Sequence, residues 1–200
     1  MRPKSFDQSK ALDAAMLQFW EAGFEASSMQ RLVDRMGISR QSLYDTYGNK
    51  RELFHAALMR YRRERIAPVI AEILRPETAP IDALRGFLLA ASEGGADSPA
   101  GCLMVRTVAE IPLEDSRIAD LVGATIGEIR DALRERIEQG LQSGDLASER
   151  EPEEIAGEVL ALGIGLQIIY RLPNLGTTIR PSIESLLATL TPRNRSGVNP

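Results

Sequence analysis

Residues 37–50 of the chain, GISRQSLYDTYGNK, bring together side chains that can bind a polyanion, within a sequence otherwise rich in apolar residues. An arginine such as Arg40 can hold guanine or phosphate, and a glutamine such as Gln41 can pair with adenine. The hydroxyl of Ser42 can reach phosphate oxygens. The same residue types also suit a solvated turn between two core helices, and their spacing alone is compatible with both interpretations.

Cysteine and histidine are too scarce for most catalytic and metal-binding chemistry. The chain has one cysteine, Cys102, and one histidine, His55, whereas a structural zinc site takes about four such ligands. No Cys/His, Ser/His or paired-carboxylate arrangement stands at a useful spacing. The sequence therefore predicts a protein without enzymatic activity, metal or cofactor. A helical enzyme or carrier stays open as a rival, as does a motif that binds protein.

The polar segment lies among apolar-periodic stretches that predict short helices in the first 65 residues. One helix ends near Gly23, a second begins after Ser28 and ends at Gly37, and a third begins after Ser39. Gly37 permits the positive φ that ends a helix, while Leu43 can anchor the third helix from beneath. These proportions are those of a helix-turn-helix, whose second helix enters the DNA major groove.

Charge is distributed unevenly along the chain. The whole sequence carries a formal net charge of −4, but residues 1–65 hold 12 basic and 8 acidic side chains, a net of +4. The remaining 135 residues hold 12 basic and 20 acidic side chains, a net of −8. A basic head on an acidic body indicates that only the head meets a polyanion. The absence of a long apolar run predicts a cytoplasmic protein without a membrane partner.

An ordered set of residues over nearly fifty positions resembles the TetR family of bacterial transcriptional regulators. The matching residues are Gly23-Phe24-Glu25-Ala26, Ser27-Ser28-Met29, Leu32-Val33, Gly37-Ile38-Ser39, Leu43-Tyr44, Tyr47, Lys50 and Leu53-Phe54. The resemblance implies an all-α homodimer with a three-helix helix-turn-helix head and a helical core for ligand binding and dimerisation. It also implies a regulator, usually a repressor, that leaves its operator when a small effector binds.

Carried over position by position, the resemblance implies a set of DNA contacts in the head. They are Ser28, Ser39, Arg40, Gln41, Ser42, Tyr44, Tyr47 and Lys50. Arg40, Gln41 and Ser42 resemble the residues of the recognition helix, and the family's clamp on the DNA backbone is matched by Tyr44, Tyr47 and Lys50. Gln41 stands where many members carry glycine, so base preference here can differ.

The pattern after residue 65 remains helical. We predict helices at about 80–92, 102–110, 115–142, 152–172 and 177–190, with Pro68 kinking or restarting the helix around it. The predicted domains are a DNA-binding head (1–65), a ligand-binding and dimerisation core (66–191) and a disordered tail (192–200). The last two helices are predicted to pair with those of a second subunit.

Few polar groups after residue 65 could anchor an effector. We predict a modest, largely apolar effector. Its candidate lining residues are Phe87, Met104, Arg106, Glu110, Gln167, Tyr170 and Arg171.

Cys102 offers an alternative mode of regulation. A thiol at the start of a helix has a lowered pKa and reacts more readily with oxidants or electrophiles. A small buried side chain ahead of Leu103 is the other interpretation, because free cysteines are often buried.

Overall fold

The computed structural model describes residues 6–93, 99, 101–111, 116–169 and 176–192. These residues are helical and contain no strand, which confirms the all-α prediction. The helices are α1 (Gln8–Ala22), α2 (Met29–Met36), α3 (Arg40–Tyr47), α4 (Lys50–Tyr61), α5 (Ala67–Ile73), α6 (Pro80–Glu93), α7 (Leu103–Glu110), α8 (Ser116–Ser143), α9 (Pro152–Ile169) and α10 (Gly176–Ala188). Within the described ranges, no helix is long and apolar enough to cross a membrane.

A π-helical stretch, Arg62–Ile66, joins α4 to α5. Its wider turn is seen where the N–H of Ala67 donates to the carbonyl of Arg62, five residues back. Pro68 is the second residue of α5, where a missing N–H is tolerated. The restart predicted at Pro68 is therefore present, and it begins at Ala67.

The chain packs as two compact units. The first comprises Met1–Pro68 with Asp97–Ile126, and the second comprises Val69–Ala96 with Gly127–Pro200. The domain limits proposed from the sequence remain predictions, and residues 193–200 of the proposed tail lie outside the described residues.

The core of the first unit forms around aromatic rings from α1 and α4. Phe19 and Phe54 meet edge to face at 4.8 Å between ring centroids, and both are buried. Phe24 lies 5.0 Å from Phe54 and stacks on Phe19 at 6.2 Å. Leu32 of α2 and Leu43 of α3 are fully buried, so the apolar stripes of all four helices converge in one core.

The second unit is organised around α6, α9 and α10. Its fully buried side chains include Leu84, Leu88, Val159 and Ile183. Gly163 of α9 lies against the ring of Phe87, and a Cβ there would come within 2.9 Å of the ring. The space left by the missing side chain of Gly163 is therefore occupied by a side chain of α6.

Candidate nucleic-acid interface

Local capping fixes the boundaries of the helix-turn-helix. The hydroxyl of Ser28 accepts a backbone N–H of the first turn of α2 at 3.2 Å, and Ser39 does the same for α3 at 3.0 Å. Gly37 ends α2 in the left-handed region, with φ 65° and ψ 32°. Ile38 is half-buried in the turn, while Leu43 fixes α3 to the core. The roles expected of Gly37 in ending α2 and of Leu43 in anchoring α3 are confirmed.

The outward face of α3 carries the residues expected to contact bases. Arg40 and Gln41 are exposed, and Tyr44 is 44% exposed. The amide nitrogen of Gln41 donates to Asp45 Oδ1 at 2.7 Å, one helical turn along. This bond fixes the direction of the amide and leaves its carbonyl oxygen to accept a hydrogen bond from a base. Ser42 is half-buried, and its hydroxyl lies 2.9 Å from that of Ser39.

The proposed backbone clamp lies at the junction of α3 and α4. The hydroxyl of Tyr47 donates to the carbonyl of Gln8 at 3.3 Å, and burial raises the pKa of this phenol, so Tyr47 stays protonated as a donor. Lys50 Nζ donates to the carbonyl of Glu25 at 3.4 Å. Asn49 Oδ1 already accepts from two N–H groups at the start of α4. The contact with a DNA phosphate predicted at this end therefore depends mainly on the ammonium of Lys50, and it stays a prediction.

An ion pair ties α2 to α1 beneath the motif. Arg35 Nη2 donates to Glu21 Oε1 at 2.6 Å, and a second nitrogen of the guanidinium contacts the other carboxylate oxygen. The hydrogen bond from Arg35 lowers the pKa of Glu21 below its ordinary value of 4.5. The pair therefore holds the two helices together best when Glu21 is ionised.

This pKa shift predicts an acid-dependent contribution to stability. Since the folded state lowers the pKa of Glu21, the added stability is present above the ordinary pKa and is lost as pH falls through the folded value. We expect Glu21→Gln to lower the free energy of unfolding at pH 7 by less than about 1 kcal/mol, because both side chains are partly exposed and screened by water. Urea unfolding of mutant and wild type should converge as pH is lowered below 4.5.

Glu25→Gln is the matched control, since the Glu25 carboxylate makes no ion pair among the described residues. A Glu21→Gln deficit that stayed constant down to the acid limit would contradict the assignment.

The turn after α1 is held by two residues that the sequence predicts as effector contacts. Glu110 Oε2 accepts the N–H of Phe24 at 2.8 Å, and Glu110 Oε1 accepts from Arg106 Nε at 2.6 Å. Arg106 also donates to the carbonyl of Glu21 at 3.1 Å. Gly23 has φ 86° and ψ 175°, and a Cβ there would overlap the Glu110 carboxylate. In this structure Arg106 and Glu110 cap the end of α1.

This geometry predicts that two helix-ending glycines differ in their tolerance of a methyl group. We expect Gly23→Ala to lower the free energy of unfolding by about 2–3 kcal/mol, because its backbone region is almost exclusive to glycine and Glu110 must move. Gly37→Ala should cost about 1–2 kcal/mol, since its left-handed backbone is strained by a Cβ that meets nothing within 4 Å. Chemical unfolding checks both, and equal losses would contradict the contact with Glu110.

The other predicted effector residues are distributed over both units. Met104 is buried in the first unit, and Phe87 is buried in the second. Gln167, also in the second unit, has a buried side-chain oxygen with no hydrogen-bond partner among the residues that the structure describes. Tyr170 and Arg171 lie outside the described residues.

Cys102 is half-buried at the start of α7 and faces Tyr61. Burial raises the pKa of the Tyr61 phenol well above its usual value, and the Cys102 thiol beside it raises that pKa further. The environment favours a packed thiol over an exposed thiol sensor.

Comparison with known protein families identifies the family to which this helix-turn-helix belongs. The profile described as bacterial regulatory proteins, tetR family, matches residues 11–57, and the profile described as tetracyclin repressor-like, C-terminal domain, matches residues 80–184. The chain belongs to the TetR family. The predictions of a helix-turn-helix head, a helical C-terminal domain and a transcriptional regulator that is not an enzyme are thereby confirmed.

Individual TetR-family relatives agree with this assignment. The HTH-type transcriptional repressor ComR of Escherichia coli (strain K12) is 34% identical over 137 residues, which span 68% of this chain and 63% of ComR. The uncharacterized HTH-type transcriptional regulator YezE of Bacillus subtilis (strain 168) is 30% identical over 150 residues, spanning 74% of this chain and 77% of YezE. A cysteine mutant of the TetR family transcriptional regulator CifR, complexed with 26bp double-strand operator DNA, is 28% identical with a TM-score of 0.79, covering 95% of this chain and 100% of that one.

The sequence does not predict the two residues that support Lys50, which are Phe24 and Glu25. The ammonium of Lys50 lies 4.4 Å from the centroid of the Phe24 ring. In the sequence Phe24 stands out only as part of the family pattern, because a cation over a ring comes from tertiary packing and leaves no spacing signal.

Proposed function

We propose that this protein is a homodimeric repressor that binds operator DNA through α3 and dissociates when a small, largely apolar effector binds. The observation that carries the proposal is the outward presentation of Arg40 and Gln41 on a capped helix anchored by the fully buried Leu43. Two side chains of the types that bind base edges would thus be presented from a rigid element, which suits recognition in the major groove. The proposed partner DNA is cytoplasmic, so we expect the protein to act there.

The proposal can be tested without knowing the operator sequence, by selecting the DNA duplexes that the protein binds from a random-sequence library. A two-fold symmetric dimer should enrich an inverted repeat whose half-sites are about one helical turn, or a multiple of it, apart. Enrichment of no sequence, or of a single unrepeated half-site, would contradict a dimeric operator-binding protein.

We further propose that α9 and α10 form the dimer interface. Ile168 of α9 is 58% exposed, and a Cβ added at Gly157 or Gly165 would meet nothing within 4 Å. A shallow groove between the two helices is lined in part by Leu162, Pro181 and Leu186. Polar side chains, among them Glu158, Ser182 and Ser185, complete the groove. An open face of mixed polarity with two small residues suits close packing against the same face of a second subunit.

A charge placed on this face should separate the subunits. We expect Ile168→Glu to weaken dimerisation at least about a hundredfold, because an unpaired carboxylate would be buried on association. Met59→Glu, at an apolar α4 residue that is 43% exposed, is the matched control outside the proposed interface. Sedimentation should show a monomer for the first variant and a dimer for the second. A dimeric Ile168→Glu protein would exclude this part of α9 from the interface.

An apolar pocket of about 120 Å³ between α7 and α8 supports a small apolar effector. Its lining residues are Thr107, Val108, Ile111, Ile118, Ala119, Val122, Gly123 and Ile126. None of them carries a charge. The pocket is somewhat smaller than a cavity of about 150 Å³ that admits benzene or xenon, so only a very small apolar molecule, or part of a larger one, would fit without movement of the lining. We propose this pocket as an effector site, in place of the residues predicted from the sequence. Release of DNA by a strongly anionic molecule such as a nucleotide, and not by apolar compounds, would count against the proposal.

A further inference from the structure

The contacts that α7 makes with the end of α1 converge on one short turn. Glu110 accepts the N–H of Phe24, and its carboxylate fills the space that Gly23 leaves by having no side chain. Arg106 binds the same carboxylate and donates to the carbonyl of Glu21. A cation at the carbonyl end of a helix and an anion on the following N–H both match the local backbone charges.

The turn held in this way contains the two groups that contact the Lys50 ammonium, and we call them the seat of Lys50. The Phe24 ring lies beneath the ammonium at 4.4 Å, and the carbonyl of Glu25 accepts one of its protons at 3.4 Å. An ammonium has three donors, so one bond to Glu25 leaves others for a phosphate. The position of this cation is thus set by residues 24 and 25, which are in turn held by Glu110.

We propose that Glu110, supported by Arg106, is a positioning residue for operator binding, which acts by holding the Phe24 turn so that Lys50 can reach a DNA phosphate. The proposal rests on the proposed function, because it assigns a regulatory contact to the same DNA site. It gives α7 a direct connection to DNA affinity. Withdrawal of the Glu110 carboxylate leaves the Phe24 N–H without this acceptor and shifts the backbone that positions Lys50, while the Phe24 ring keeps its contacts with Phe19 and Phe54.

The test compares four variants on the duplex selected from the random library, with affinity measured across a salt series. They are Glu110→Ala, Glu110→Gln, Lys50→Ala and the double variant Lys50→Ala/Glu110→Ala. Asp120→Ala is the matched control, because it removes one negative charge from an exposed α8 residue of the same unit that has no ion pair among the described residues. Thermal unfolding identifies the temperature range in which every variant is folded.

We expect Glu110→Ala and Lys50→Ala each to weaken binding about tenfold per subunit, as loss of one charge-assisted phosphate contact does, and therefore about a hundredfold for the dimer. Each should also reduce the magnitude of the slope of log K against log salt by about one per subunit. The double variant should bind no more weakly than Lys50→Ala alone, because residues that act through one contact are not additive. Glu110→Gln, whose amide oxygen can still accept the Phe24 N–H, should stay within about threefold of wild type.

Several results would overturn the proposal. Glu110→Ala could leave affinity and salt slope unchanged while Lys50→Ala weakens binding, which would refute the positioning role but leave the DNA-binding function standing. A loss in Glu110→Ala that adds fully to that of Lys50→Ala, or that leaves the salt slope unchanged, would indicate a general structural effect and refute it as well. If wild type itself selects and binds no duplex, the proposed function fails first.

Discussion

The Arg40→Ala protein is expected to bind its selected duplex about 5- to 150-fold more weakly per half-site than wild type, the range of one good arginine contact in the major groove. Arg40 is the first residue of α3, fully outside the core and beside the exposed Gln41. Its removal deletes a contact without disturbing the buried Leu43 that holds the helix. Equilibrium binding to the selected duplex, and to single-base variants of it, measures the loss.

Arg63→Ala is the matched control for the loss of a positive charge. The Arg63 side chain is 68% exposed, and it lies beyond the far end of α4, which is about 18 Å long. We expect this variant to bind within about twofold of wild type at 0.15 M salt, where charges farther apart than a Debye length are largely screened. If Arg63→Ala and Arg40→Ala weakened binding equally, α3 would not be the recognition helix.

The second large effect is expected on stability. Phe54→Ala should lower the free energy of unfolding of the head by about 3–5 kcal/mol, because the ring is 1% exposed and its loss leaves a cavity. The ring also contacts Phe19 and Phe24, and such aromatic pairs add about 0.5–1.5 kcal/mol beyond the area they bury. Urea unfolding measures the loss.

Met59→Ala on the same helix is the control, since Met59 is 43% exposed and should cost less than about 0.5 kcal/mol. Similar losses for the two variants would contradict the location of the head's core.

The helix-turn-helix could be predicted from the sequence because its determinants are local. A cap such as Ser39 acts within three residues, and a positive φ at Gly37 concerns one backbone position. The burial of Leu43 follows from helical period. These interactions act over a few residues, so their spacing is visible in the sequence.

The connection from α7 to the head could not be predicted in the same way. Glu110 and Phe24 are 86 positions apart, and no local pattern distinguishes a carboxylate that accepts a backbone N–H from one that binds a ligand. The sequence predicts Arg106 and Glu110 in an effector site because they are polar residues in an apolar segment. Tertiary packing gives both residues partners at the end of α1, which no local pattern indicates, and their predicted contact with an effector stays a prediction.

The arrangement around α9 illustrates the same limit. The glycines of this helix indicate a close approach, yet the neighbour of Gly163 is the ring of Phe87 from α6. A glycine in a helix shows that something approaches, but its identity depends on which helices the fold brings together.

The most direct test of the account is the salt dependence of binding to the selected duplex. If Arg40 in the major groove and Lys50 at a phosphate bring at least two positive charges per subunit against the DNA, four charges release counterions, and log K should fall linearly with log salt with a slope of about −3.6 or steeper. The duplex should also bind far more tightly than a scrambled one. A slope near zero, or equal affinity for both duplexes at every salt concentration, would contradict a DNA-binding head built on α3 and Lys50.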